Sequence, residues 1–142
     1  MLAIHPASID VAVAFKDLAD AERLSGDFNA AEMDYLEAQS VSKMVGYQQG
    51  ITTSAGYLAQ LALDRKDWGG GEDLAREAMP LAEELGRQEV IAEVSRCLAQ
   101  ALARQGKKVE GLPYARRAVE IYTRLGSPEL EGARATLAEC EG

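Results

Sequence analysis

Three segments of this chain lie over one another, without a gap, at a spacing of 40 residues: LADAERLSGDFNAAEMDYLEAQSVSKMVG from Leu18, LAQLALDRKDWGGGEDLAREAMPLAEELG from Leu58 and LAQALARQGKKVEGLPYARRAVEIYTRLG from Leu98. Leu-Ala recurs at Leu18-Ala19, Leu58-Ala59 and Leu98-Ala99. A small residue recurs at Ala31, Gly71 and Gly111, alanine at Ala38, Ala78 and Ala118, and glycine at Gly46, Gly86 and Gly126. A fixed period held over three copies confines the fold to arrays in which each unit buries its apolar face on the next. Within each copy two apolar-periodic stretches are separated by a break at Gly26, Lys66-Asp67 or Gly106, and each copy closes on a glycine suited to a helix C-cap. The unit is therefore a helical hairpin.

The segment SPELEGARATLAECEG carries a fourth Leu-Ala, Leu137-Ala138, after a connection one residue shorter. Ser127 as N-cap, Pro128 in the first helical position and Glu129 in the first turn predict a helix there. The pattern predicts seven helices, at about 8–25, 28–45, 48–65, 69–85, 88–105, 108–125 and 128–140. Residues 1–142 read as a single domain of three hairpins, about 8–46, 47–86 and 87–126, with a lone helix at 128–140 covering the last apolar side. The one alternating run, DVAVAF, falls in a longer stretch whose apolar residues recur every three to four positions, so it too reads as helix. Pro80 falls inside a helix and predicts a kink near Arg76, whose carbonyl loses its donor.

These positions resemble the tetratricopeptide repeat, which places a bulky residue and then Leu-Gly on its first helix, and alanine with an aromatic four residues later on its second. The first copy carries Phe15, Leu18, Ala19, Ala31, Tyr35 and Ala38 at the matching places. In the later copies Ala55 and Ser95 replace the bulky residue, and Ala75 and Ala115 replace the aromatic. The period of 40 resembles that of the family's longer-helix variant. A HEAT-type array of similar period fits the Leu-Ala and Ala-x3-aromatic positions less well.

The resemblance implies an all-α, right-handed α-solenoid whose first helices line a concave groove. Carried over by register, that groove holds Val13, Lys16, Asp20 and Arg23, then Thr53, Gly56, Gln60 and Asp64, then Glu93, Arg96, Gln100 and Arg104. It implies a non-catalytic protein-protein interaction module that takes a peptide or helix of a partner, within a larger regulator or scaffold. The alternative is a ligand- or peptide-sensing regulatory domain that controls an attached effector. Asp20 and Tyr57 stand where the carboxylate-clamp members carry asparagine, and the single asparagine, Asn29, provides no ladder for gripping a peptide backbone. The resemblance therefore names no particular ligand. Lys16, Arg23, Arg96 and Arg104 set against Asp20, Asp64 and Glu93 suggest a slightly cationic groove and an acidic or mixed-charge partner.

Other chemistry is sparse. Gly69, Gly70 and Gly71 look like a phosphate loop, but in register they open a second helix, and Glu72 and Asp73 follow instead of Lys-Ser/Thr. Gly71 reads as a close helix-helix approach, and replacing Gly69 and Gly70 by alanine is expected to raise stability. His5 is the only histidine, so catalytic triads and multi-histidine metal sites are excluded by counting. No catalytic residue, cofactor site or metal site is expected. Trp68 and Tyr122 read as hairpin packing, and Glu83/Glu84 and Asp17/Asp20 as solvated faces.

A net charge of −8 without any basic run argues against nucleic acid and anionic lipid as partners. Cys97 and Cys140 are too far apart for a CxxC pair and read as free thiols of a reducing compartment. With no leader in MLAIHPASID and no long apolar run, the expectation is a cytoplasmic protein off the membrane. The first helix carries Ile9, Val11, Val13 and Phe15, a wider apolar surface than one buried stripe, and suggests self-association or stacking through that helix.

Overall fold

A computed structural model of the chain describes residues 7–142, so His5 lies outside the described residues. The described residues form seven helices and no strand: α1 (Ile9–Ser25), α2 (Phe28–Val45), α3 (Gln48–Asp64), α4 (Trp68–Leu85), α5 (Gln88–Arg104), α6 (Lys108–Leu125) and α7 (Leu130–Glu141). The second helices α2, α4 and α6 each have 18 residues and begin at Phe28, Trp68 and Lys108, so the 40-residue spacing of the sequence is also that of the helices. Gly46, Gly86 and Gly126 end them in the left-handed conformation, where a residue without Cβ carries no steric penalty. The turns inside the hairpins use the same conformation at Gly26 (φ 90°) and Gly106 (φ 81°), whereas the middle hairpin places Lys66 there at φ 62°.

The last helix starts later than the sequence predicts. The Ser127 hydroxyl accepts from the Glu129 amide at 3.1 Å and the Ser127 carbonyl from the Leu130 amide at 3.2 Å. This tight local turn holds Pro128 and Glu129 out of α7, which begins at Leu130. α4 runs through Pro80 as one element, with the proline on its exposed side. Pro113 lies in α6 in the same manner.

Each helix packs on its neighbours in sequence. Beyond that, α1 touches α3, α3 touches α5 and α5 touches α7, while no two even-numbered helices meet. The main core therefore lies around α5, whose Ile91, Val94, Leu98 and Leu102 pack with Met79 of α4, Ile121 and Tyr122 of α6 and Ala133 of α7. Trp68 packs against this cluster and Tyr122 is buried in it, in keeping with the packing roles read from the sequence.

The glycine-rich start of α4 is built into the same packing. A Cβ on Gly71 would lie 2.6 Å from Leu63 Cδ2, which is the close approach expected of it. Gly69 has open space around it. Gly70 differs: a Cβ there would meet the Asp67 carboxylate, which caps the helix by accepting from the Gly70 amide at 3.0 Å. The expected gain from alanine is therefore unopposed only at Gly69. In α2, Ala30 occupies the place of Gly70 and its amide reaches the capping Asp27 at 3.3 Å, so the cap tolerates a methyl group with a longer bond.

Candidate functional site

The row α1–α3–α5 carries the residues singled out from the sequence, and their spacing brings most of them to one face. A continuous chain of polar contacts crosses it. Lys16 Nζ lies 2.7 Å from Asp20 Oδ2, and Asp20 Oδ1 accepts from the Tyr35 hydroxyl at 2.5 Å. Tyr35 in turn accepts from Arg23 Nε at 3.3 Å, and the same guanidinium donates to Asp64 Oδ2 at 3.0 Å. Gln60 Nε2 donates to Asp64 Oδ1 at 2.9 Å, and Gln60 Oε1 accepts from Arg96 at 2.6 Å and from the Cys97 thiol at 3.4 Å. Three hairpins are thus linked through α1, α2, α3 and α5.

Two tyrosines that the register reading did not place in the site organise this ladder. Tyr35 is fully buried and its ring stacks on Tyr57 at 5.5 Å between centroids with 2° between the planes. Lys16 Nζ and the Arg23 guanidinium stand 5.0 and 5.8 Å from the Tyr57 ring centre, a cation–π arrangement. Burial, together with the hydrogen bond to Asp20, raises the Tyr35 hydroxyl well above its ordinary pKa. Burial opposes the charge on Arg23, but its bonds to Tyr35 and Asp64 more than offset this and its pKa is raised. The sequence signal for Tyr35 was the repeat position of the second-helix aromatic; for Tyr57 there was none beyond its place on a first helix.

The cationic side chains expected to face a partner are thus already engaged. Lys16 and Arg23 pair with Asp20 and Asp64, and Arg96 donates to Gln60. Arg104 stands apart from the ladder: it pairs with Glu139 of α7 at 2.5 Å and lies 5.0 Å above the Trp68 ring. Gln100, half-buried on α5, has no hydrogen bond among the described residues.

Two open cavities flank the ladder. One, of about 260 Å³, lies between α3, α5 and the Ser127–Glu129 turn, and Thr53, Gly56, Tyr57, Glu93 and Tyr122 line it. The other, of about 210 Å³, lies between α1 and α3 beside Val13, Lys16 and Thr53. Thr53 belongs to both. Glu93 has no hydrogen bond or ion pair among the described residues, and burial raises its carboxyl above the ordinary range. Cys97 and Cys140 are both buried free thiols; burial pushes Cys97 up to about 12, far from a reactive thiolate. Among the described residues no group of three or more histidine, cysteine or acidic side chains is arranged to hold a metal ion, and no helix is long and apolar enough to cross a membrane. Comparison with known proteins matches the chain to no family model and to no curated protein.

Proposed function

We propose that the chain is a tetratricopeptide-like, right-handed α-solenoid of three hairpins closed by α7, acting as a non-catalytic protein-protein interaction module. A peptide or helix of a protein partner would lie along the concave groove of α1, α3 and α5, as part of a larger cytoplasmic regulator or scaffold. The observation that carries this reading is the single row of odd-numbered helices, with its polar ladder and two open cavities on one face. Thr53, between the cavities, is the residue on which to test it. Peptides selected from a random displayed library on the immobilised chain should lose at least tenfold in affinity to a Thr53→Trp variant that melts like the wild type. Selection of no peptide, or equal binding by the variant, would remove the groove from the account.

The alternative is a sensing domain in which a bound ligand controls an attached effector. It is favoured by one feature: the larger cavity spans the α3–α5 junction, so an occupant there would bias the angle between successive hairpins. Small-angle scattering with and without a selected peptide separates the two, since a sensor changes its dimensions on binding.

A self-associating surface on the first hairpin is a further proposal. Leu24 is 77% exposed, and Met33, Leu36 and Met44 are exposed on α2. At the same repeat positions α4 carries Asp73, Arg76 and Glu84, and α6 carries Pro113, Arg116 and Arg124. The outward apolar surface of α1 is formed by Ile9, Val13, Leu18 and Leu24, while Val11 and Phe15 are half-buried. Sedimentation tests it: a concentration-dependent dimer that Leu24→Glu plus Met33→Glu dissolves supports the surface, and a monomer at all concentrations sinks it.

A further inference from the structure

We propose that the cavity between α3, α5 and the Ser127–Glu129 turn is a subsite for a cationic side chain, an arginine or lysine of the bound segment, held by the Glu93 carboxylate and flanked by Tyr57 and Tyr122. The inference rests on the peptide-binding reading above and names the chemistry of one residue of its ligand.

The charges decide the sign. Lys16, Asp20, Arg23, Asp64 and Arg96 each have a polar partner on this face, and Glu93 has none among the described residues. At the cavity rim Arg87 is paired with Glu89 at 2.8 Å and donates to Gln49 at 2.8 Å, so these two charges cancel. Glu93 and Glu129 remain as two lining carboxylates without an ion pair among the described residues, so the lining is net negative. Arg96, on the same helix, donates to the neutral Gln60 and does not line the cavity, but its charge reaches Glu93 and partly offsets the effect of burial there.

The half-buried Glu93 carboxylate has lost part of its hydration, and the charge of Arg96, which makes no contact with it within ion-pair distance, offsets that only in part. A guanidinium or ammonium group entering the cavity would restore an ion pair where the dielectric is low, against aromatic rings that favour cations. Tyr57 already holds two cations near its ring. The Tyr122 hydroxyl, without a hydrogen-bond partner among the described residues, offers a further polar contact at the wall. An anionic ligand would meet Glu93 and Glu129, and a neutral apolar one would leave Glu93 unpaired.

The probes are n-butylguanidinium, its neutral counterpart N-butylacetamide and the anion butyrate, each titrated while the backbone amides are followed by NMR. Saturable shifts are expected at Thr53, Gly56 and Val94 with butylguanidinium, and binding at least tenfold weaker with the other two. Glu93→Gln should lose tenfold or more while melting at or above the wild-type temperature, and Thr53→Trp, which fills the cavity and keeps the charge, should lose it as well. Equal binding of the neutral probe, or undiminished binding by Glu93→Gln, would overturn the proposal. Selected peptides that bind the groove with no basic residue at a fixed position would overturn it while leaving the interaction reading intact. Guanidinium binding without any peptide ligand would do the reverse: the cation site would stand and the interaction reading would fall.

Discussion

The first and third hairpins share a repeat pattern but not a burial pattern. α5 buries ten residues, because α3, α4, α6 and α7 all pack on it; α1, with only α2 and α3 beside it among the described residues, buries Ala12 and Ala19. Leu18 and Leu98 hold the same repeat position, yet Leu98 is 1% exposed and Leu18 is 49% exposed. The interface inside each hairpin differs too. Where the later copies set Ala62 by Leu74 and Leu102 by Tyr114 in sequence register, the first sets Glu22 by Asp34. The same local pattern thus produces a core in the middle of the array and a half-covered surface at its start.

The largest effect should come from the pair of matched leucines. Leu98→Ala is expected to destabilise by about 2–5 kcal/mol, as for other fully buried leucines, whereas Leu18→Ala should cost about 0.5 kcal/mol or little more. Denaturant unfolding of both variants checks this. An equal loss at Leu18 would mean that α1 is covered in solution, and the contrast between the hairpins would fail.

Next in size is Gly111→Ala, in the third hairpin. A methyl group there would stand 3.0 Å from the Ala99 carbonyl oxygen and 3.3 Å from Cys140 Sγ. A cost of about 1–3 kcal/mol is expected from overpacking. The first hairpin already carries Ala31 at this position, fully buried, so the change also asks whether α5 and α6 approach more closely than α1 and α2. A neutral result in a thermal melt would deny that difference.

The middle hairpin supplies a gain instead of a loss. Lys66 holds the left-handed conformation that Gly26 and Gly106 hold in the other two copies. Lys66→Gly should stabilise by up to about 1 kcal/mol, the relief of a side chain in that region less the greater entropy of glycine when unfolded. A lower melting temperature would show that the lysine side chain contributes packing or pairing of its own.

The smallest effect is one of pH and belongs to the first hairpin. The Glu22 carboxyl is raised to about 7, first by its interaction with the Asp34 carboxyl, then by burial and by the negative charge of Asp34 and Asp27. A carboxyl whose pKa is higher in the folded chain than in the unfolded one contributes stability below its unfolded pKa and loses it as pH rises through the folded value. Between about pH 4.5 and 7 the wild type should therefore lose stability relative to Glu22→Gln, with the two alike at the acid end. Melting curves across that range check the sign; parallel pH profiles would mean that the Glu22 carboxyl is not raised in the folded chain.

The secondary structure was legible in the sequence because its causes are local. The glycines at positions 46, 86 and 126, the capping residues Asp27 and Asp67, and the three-to-four spacing of apolar residues act within a few residues of each other. The start of α7 was missed by two residues because Ser127 has two local options, capping a helix at once or closing a turn on Glu129, and the sequence pattern favours the first. The proposed groove was legible only as a set of positions.

Repeat spacing alone was enough to determine that this chain is a run of helical hairpins and which residues share a helix face. It could not determine which charges on that face are spent on one another. Arg23 meets Asp64 across 41 residues and Arg96 meets Gln60 across 36, and Tyr35 reaches in from a second helix to join them. Such pairs depend on how closely neighbouring hairpins pack and at what angle, a property of the tertiary structure. That packing is what leaves Glu93 beside a cavity without a hydrogen bond or ion pair among the described residues, with Arg96 turned to Gln60 and only its charge felt at the carboxylate.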